Sequence, residues 1–281
     1  MTATIAKTWA ITGASSGIGL AVTQQLLKQG SKVVALVRSP QKLQSLKNQY
    51  ADQLIIIELD LNQTEKIAST IQAAFNAAGR IDVILSAAGY ALVGAAEELS
   101  EADITAHIEA NLLAPIFIAK AALPFLRHQK HGHIMHISSE GGHITYPSAS
   151  IYHASKWGAE GFFDALAKEV QALNIAVTLI EPGRIKTGFD EHAHVTDIAI
   201  EDYRKSAVGA YFRLLAMGRF PMIGDAEKVA TRIIETSTMP KPVLRLVLGS
   251  DSYKNITRET QKRLDSFIAQ AETAAQTDAE D

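Results

Sequence analysis

Short runs of apolar residues, each ending in glycine or a small polar cluster and separated by segments of helical periodicity, constrain this chain's fold more than any other feature. Thr8-Trp9-Ala10-Ile11-Thr12 opens the series, and comparable runs follow at Lys32 to Val37, Leu54 to Leu59, Ile81 to Leu85, His133 to Ile137, Ile175 to Ile180 and Val243 to Leu248. Continuous rather than alternating apolar character marks strands covered on both faces, as in parallel sheets. Leu20, Val22, Leu26 and Leu27 recur at helical spacing before Gly30, which reads as the helix stop. Further helices are predicted over Gln41 to Tyr50, Thr64 to Ala78, Glu101 to His128, Ser150 to Leu173, Asp225 to Thr236 and Asp251 to about Ala271. Strand–helix alternation of this kind predicts an α/β fold, a parallel sheet with helices on both faces. Ligands bind outside the carboxyl ends of such strands, where the polar and glycine clusters of this chain fall.

The first of those clusters is Gly13-Ala14-Ser15-Ser16-Gly17-Ile18-Gly19. Glycines let a backbone approach a ligand closely, and free amides at a helix N-terminus bind anions, so the turn is a candidate pyrophosphate cradle as well as a tight turn. Its spacing is G-x-x-x-G-x-G, not the usual dinucleotide G-x-G-x-x-G. The second run ends at Val37-Arg38, where a nicotinamide-binding unit discriminates the ribose. An acidic residue there would bond a 2′-hydroxyl, whereas Arg38 accommodates a 2′-phosphate, which favours NADP(H) over NAD(H).

Tyr152 and Lys156 lie at i and i+4 and so share one helical face. A tyrosine with its reference pKa of roughly 10 is a poor acid or base near neutrality, and an adjacent ammonium favours the phenolate and lowers that value. The pair can therefore make Tyr152 a usable acid/base, although alone it is also compatible with two surface residues.

The 281 residues are 47% hydrophobic and 20% charged, enough to bury a sizeable core. No linker composition or internal repeat interrupts them, which predicts a single domain over residues 1–281. A looser stretch over about 186–220, with His192, His194, Tyr203, Tyr211, Phe212 and Met217, reads as a mobile, partly helical insertion over a pocket. Its Tyr, Phe and Met content points to an apolar ligand such as a hydrophobic ketone, sterol or retinoid-like molecule. Residues 272–281 read as a frayed acidic tail. A net charge of −3 argues against a general nucleic-acid or anionic-membrane binder. Without cysteine the chain has no disulfide or thiolate chemistry. No signal peptide or stretch of membrane-spanning length is read, so the expected location is cytoplasmic and the two N-x-[ST] matches, at Asn62 and Asn255, are expected to be unmodified. His131, His133 and His136 are close in sequence, but an odd offset on a strand sends His133 and His136 to opposite faces, and no metal site is expected. His143 and His153 flank Tyr152 and are either pocket-lining or ordinary histidines.

Taken together, Thr12-Gly13-x-x-x-Gly17-x-Gly19, Asn111, Ser139, Tyr152-x-x-x-Lys156 and Pro182-Gly183 resemble the short-chain dehydrogenase/reductase family, over about residues 7–250 and in the right order. The resemblance implies a three-layer, doubly wound Rossmann fold with about seven parallel strands. It implies hydride transfer between a nicotinamide and a carbonyl or secondary alcohol, with Tyr152 as general acid/base. Lys156 would lower the tyrosine's pKa and hold the nicotinamide ribose. Ser139 would hydrogen-bond the substrate oxygen, with the adjacent Ser138 as the less well-spaced alternative, and Asn111 would support a water-linked proton relay behind Lys156. The implied cofactor contacts are Gly13, Ser15, Ser16, Gly17, Ile18, Gly19, Arg38, Asp60 at the adenine, Leu61, Ala88, Gly89, Tyr152, Lys156, Pro182, Gly183, Ile185 and Thr187 at the carboxamide. The expected partners are this cofactor and a small carbonyl or alcohol, and the family's common homodimer or homotetramer.

Two departures stand out. Ser86-Ala87-Ala88-Gly89 replaces the family's Asn-Asn-Ala-Gly, so side-chain bonds that steady the central strands should weaken. Ser16 takes the place of a basic residue that often assists NADP binding, which leaves Arg38 to carry the preference and keeps an NAD(H)-linked alcohol dehydrogenase as the alternative. A non-catalytic dinucleotide-binding sensor is the alternative of another class, disfavoured because a sensor needs no proton donor.

Overall fold

Each long apolar run becomes a strand in a computed structural model that describes residues 7–189 and 193–279. The strands are β1 (Thr8–Thr12), β2 (Lys32–Val37), β3 (Leu54–Glu58), β4 (Val83–Ser86), β5 (Leu92–Val93), β6 (Gly132–Ile137), β7 (Ile175–Pro182), β8 (Ile185–Lys186), β9 (His194–Val195), β10 (Gly224–Asp225) and β11 (Arg245–Leu248). The helices are α1 (Gly17–Lys28), α2 (Gln44–Gln49), α3 (Ile67–Ala78), α4 (Glu101–Ile108), α5 (Ala114–Gln129), α6 (Ser150–Val170), α7 (Glu201–Lys205), α8 (Ala207–Ala216), α9 (Ala226–Ser237), α10 (Ser250–Ile268) and α11 (Ala271–Ala275).

Seven strands form one sheet in the order β11-β7-β6-β4-β1-β2-β3, every neighbour parallel. Strands apolar on both faces need cover on both, and they receive it. Ala10, Val34, Ile84, Ile134 and Val177 pack against Ile71 of α3, Ile118 of α5 and Phe163 of α6. Trp9, Ile11, Val33, Leu85 and Met135 meet Val22 and Leu26 of α1 and Ile233 of α9. The chain winds outward from β1 to β3, restarts at β4 beside β1, and winds outward again to β11. The connections leaving β1 and β4 therefore diverge, and the crevice between them lies at the carboxyl edge of the sheet. This is the doubly wound Rossmann arrangement.

β4 starts two residues later than its apolar run because Asp82 serves another purpose. Its carboxylate accepts the Thr8 amide at 2.9 Å and pairs with Arg80 at 2.6 Å, pinning the first residue of β1. The helical stretch 101–129 is continuous, with a π-turn at Glu109–Leu113 joining α4 to α5. By length and composition this 29-residue run is apolar enough to cross a membrane, which corrects the expectation that no segment approaches a span. Its apolar side is spent on the core, where Ala114, Ile118, Ala119, Ala122 and Leu126 are buried.

The stretch read as a loose insertion is fastened rather than free. β9 pairs with β5, the amides of Ala199 and Ile200 donate to Glu98 Oε1 at 2.6 and 2.7 Å, and Tyr203 Oη donates to Glu97 at 2.9 Å. His192 lies outside the described residues. The tail read as frayed begins with the short helix α11, consistent with its alanine and glutamate content, and Glu280 and Asp281 lie outside the described residues.

Phe163 is fully buried and stacks on His136 with centroids 4.9 Å apart, at the centre of the α6 interface. Phe163→Ala should cost about 3–5 kcal/mol in urea unfolding. A loss below about 1 kcal/mol would show that α6 does not depend on this contact.

Candidate active site

At the carboxyl end of β1, Gly13 and Gly17 take positive φ, +67° and +52°. A Cβ at Gly13 would lie 2.8 Å from the Ala88 amide nitrogen, and one at Gly19 would overlap the Gly13 carbonyl, so the turn tolerates no side chain at either position. Ser16 is the N-cap of α1 without a side-chain cap bond, which leaves first-turn amides available to an anion. The missing Cβ of Gly17 faces Thr187 at 3.3 Å, so the loop after β7 closes over the same turn. Ala88 and Gly89 border it from β4, and Ile185, fully inside, anchors the Thr187 loop. Arg38 is exposed at the end of β2, and Asp60 is half-buried beyond β3, where its Oδ1 accepts the Asn62 amide at 3.1 Å beside half-buried Leu61. Ser15 and Ile18 complete the turn. The bare backbone, open amides and exposed guanidinium fit a phosphorylated dinucleotide.

The Asn-Asn pair missing after β4 has a local substitute. Thr12 Oγ1 accepts the amides of Ala87 and Ala88 at 3.1 and 3.4 Å, tying β1 to the end of β4 without either amide side chain.

Tyr152 and Lys156 stand on the first turns of α6, where that helix crosses the carboxyl end of β6. Lys156 is 5% exposed and donates to the Ile137 carbonyl at 2.9 Å. Its Nζ lies 5.8 Å from the Tyr152 ring centre. Burial pulls its pKa down from the usual lysine value to about 8, against an opposing pull from Glu160.

The two serines are sorted by their bonds. Ser138 is buried and donates to Glu160 Oε1 at 2.6 Å. Ser139 is half-buried and accepts the Gly141 amide at 3.0 Å, which uses a lone pair and not the hydroxyl hydrogen. The Glu140–Gly142 turn that Ser139 caps brings Gly141 against Tyr152, whose Cε1 would be 3.0 Å from a Cβ there. Serine, tyrosine and lysine are thus brought to one edge.

Asn111 sits in the π-turn, the kind of interruption that often marks a functional position. Its Oδ1 accepts the Tyr90 amide at 3.2 Å, and its Nδ2 donates to the Tyr90 carbonyl at 2.8 Å and approaches His107 Nε2 at 3.1 Å. The side chain is therefore spent on the segment after Gly89, not directed at Lys156. His107, which sequence reasoning missed, is the hub of this side of the site. Fully buried, it also meets Ser155 Oγ at 3.3 Å, and Ser155 in turn donates to the Tyr152 carbonyl at 2.7 Å. Its ring packs edge-on near Tyr90 and Tyr152, centroids 4.9 and 6.2 Å away. Burial, with Lys156 adding to it, lowers its pKa to about 4, so it is neutral at ordinary pH. Its position one turn before Asn111 was the available signal.

Of the two flanking histidines, His143 borders a surface cleft shared with Trp157, Glu160, Arg245 and Arg263, whereas His153 is spent on the loop. His153 is buried and clamps the loop to α6, Nδ1 donating to the Gly141 carbonyl at 2.9 Å and Nε2 accepting the Tyr146 amide at 2.8 Å. His143 faces Glu181 at 3.0 Å, and the carboxylate raises its pKa. His143, Glu160 and Glu181 could geometrically surround an ion, but Arg245 Nε lies 3.0 Å from Glu160 and 3.5 Å from Glu181 and supplies the cation itself. On β6, His133 bonds Thr178 at 2.9 Å while His136 stacks on Phe163 at the opposite face, as the odd offset requires.

The short chain dehydrogenase family profile matches residues 7–197. An oxidoreductase of Botryotinia fuckeliana, BOA17, is 35% identical over 88% of this chain and 90% of its own. A 3-ketodihydrosphingosine reductase of Bacteroides thetaiotaomicron is 32% identical over 70% and 71%. Among solved structures, a short-chain dehydrogenase from Streptomyces avermitilis superposes with a TM-score of 0.89, at 30% identity, covering 99% of this chain and all of the other. A metagenomic short-chain oxidoreductase in complex with NADP gives 0.68 at 25% identity, over 86% and 96%. A glycine turn under an uncapped helix, a serine, and a tyrosine one turn from a buried lysine thus meet on a sheet whose overall fold superposes on those solved structures, and the chain belongs to the short-chain dehydrogenase family of oxidoreductases.

Proposed function

We propose that this oxidoreductase uses NADP(H) to interconvert a ketone or aldehyde and its alcohol, with Tyr152 as general acid/base. The observation that carries the reading is the convergence of Ser139, Tyr152 and Lys156 at the sheet edge, beside the open N-terminus of α1. NADP in the metagenomic relative, and a relative named as a ketodihydrosphingosine reductase, support the cofactor and the carbonyl class.

The glycine turn and α1 amides would hold the pyrophosphate, Arg38 the 2′-phosphate, Asp60 and Leu61 the adenine side, and Pro182, Gly183, Ile185 and Thr187 the carboxamide side. When bound, the nicotinamide supplies or accepts the hydride. Ser139 directs its hydroxyl hydrogen to the substrate oxygen, where negative charge grows during reduction. Tyr152 delivers the proton to that oxygen and in oxidation removes it. The Lys156 ammonium favours the phenolate and keeps further donors for the ribose beyond the one spent on Ile137. Asn111 backs this arrangement as a positioning residue rather than a relay: its amide holds the segment after Gly89, and Leu112 of the same π-turn packs on Gly158 of α6, two residues past Lys156.

Tyr152→Phe should lower kcat by roughly 10²–10⁴ or more while NADPH binding, followed by fluorescence titration, stays within a few-fold. Retained turnover would sink the mechanism. Arg38→Asp should shift the ratio of kcat/KM values toward NAD(H), and an unchanged ratio would remove the phosphate contact. Because Lys156 loses its proton as pH rises through about 8, kcat/KM for NADPH should fall on that alkaline limb. A flat profile across that range would take the lysine out of cofactor binding.

A further inference from the structure

His107 is a fully buried titratable side chain that the chemistry above leaves unused, and its neighbours determine where its proton sits. The Asn111 amide cannot be turned over, because Oδ1 accepts the Tyr90 amide at 3.2 Å while Nδ2 donates to the Tyr90 carbonyl at 2.8 Å. The second Nδ2 hydrogen is left for His107 Nε2, 3.1 Å away. Burial and Lys156 keep the ring neutral by lowering its pKa to about 4, and a neutral imidazole holds one proton, on the nitrogen its bonds select. On Nε2 that proton would oppose the Asn111 N–H and leave both the amide hydrogen and Nδ1 without partners. It would gain only the longer contact to Ser155 Oγ at 3.3 Å. On Nδ1 it lets the Asn111 bond form, and the Nδ1–H alone lacks a partner among the described residues. One unpaired buried group costs less than two and a repulsion, so the bonds favour Nδ1–H.

A ring held in this way backs the first turns of α6. It packs edge-on to Tyr152, with centroids 6.2 Å apart and planes at 63°. Ser155, in contact with Nε2, donates to the Tyr152 carbonyl at 2.7 Å, so the tyrosine is reached through its backbone as well as its ring. On the other side, a Cβ at Gly89 would lie 3.3 Å from Asn111 Oδ1, and Tyr90 follows directly. An unbroken run of contacts therefore leads from the segment bordering the glycine turn, through Asn111 and His107, to Tyr152. Lys156 ties the same helix to β6 through the Ile137 carbonyl, and its Nζ stands 5.8 Å from the Tyr152 ring centre. How strongly an ammonium favours a phenolate depends on their separation, so whatever fixes the tyrosine ring also fixes that coupling.

We propose that His107 is a positioning residue for Tyr152: its Nε2 receives Asn111, and the ring so held sets the separation between the Tyr152 phenol and the Lys156 ammonium. The inference rests on the reading of Tyr152 and Lys156 as a coupled pair, and it is tested without a substrate. The Tyr152 phenolate is titrated by ultraviolet difference absorption, each protein against the same protein carrying Tyr152→Phe. His107→Leu, similar in size but without an acceptor, should raise the titration midpoint by about one unit. His107→Gln, whose side-chain oxygen reaches the place of Nε2, should restore the midpoint, and the shorter His107→Asn should not. Ring nitrogen NMR shifts, assigned to His107 by their loss in the Leu variant, should show the proton on Nδ1. Circular dichroism and NADPH titration, with binding within a few-fold of wild type, verify that the variants are folded. Lys156→Met is the control for the underlying pair. If it leaves the Tyr152 midpoint in place, the coupling itself fails and the role of His107 falls with it. If it raises the midpoint while His107→Leu does not, if the Gln and Leu variants behave alike, or if the ring carries its proton on Nε2, the role of His107 alone is overturned.

Discussion

The site depends on a lysine ammonium buried against the sheet. A charge of that kind is costly to remove from water and persists only where hydrogen bonds and nearby charges compensate it. Here the Ile137 carbonyl, at the end of β6, receives one donor, and Glu160, one turn further along α6, opposes the loss of charge. The bond couples helix to strand at the point where β6 stops, and that coupling fixes where Tyr152 stands relative to Ser139. Glu160 reaches the serine side as well, through Ser138, and it is itself held by Arg245 from β11. The outermost strand of the sheet thereby contributes to the electrostatics at its centre.

The sheet and its flanking helices were legible because burial on two faces demands uninterrupted apolar residues in runs of strand length. The glycine turn and the shared helical face of Tyr152 and Lys156 were legible from spacing. What was not legible depended on partners distant in sequence. Nothing near Asp82 announces that its carboxylate will pin Thr8 and shorten β4. Thr12 reads as the last residue of a strand until the amides of Ala87 and Ala88 arrive beside it. His107 reads as an ordinary helical residue, yet burial, two polar partners and two ring contacts make it the joint between Asn111 and α6. The insertion read as loose because its composition lacks periodicity, whereas its order comes from Glu97, Glu98 and β5, about a hundred positions earlier.

Glycine has two separable uses in this fold. At Gly13, Gly17 and Gly218 the backbone adopts a left-handed conformation that other residues resist. At Gly19, Gly89 and Gly141 the conformation is ordinary, and the requirement is that backbone, Asn111 or Tyr152 come close. The second use is the one tied to chemistry, since each such glycine brings two functional segments into contact.

The parallel pairing of β5 with β9 is only two residues long on each side, Leu92–Val93 with His194–Val195. It joins segments about a hundred residues apart, and the loop-closure entropy of such a contact is recovered only after the main sheet exists. A ladder this short also contributes little stability of its own, so it belongs to the regions that open first. Assembly and breathing then share an order: the seven-stranded sheet forms first, the β5–β9 pairing closes on it afterwards, and that pairing releases without cost to β1, β4 and β6.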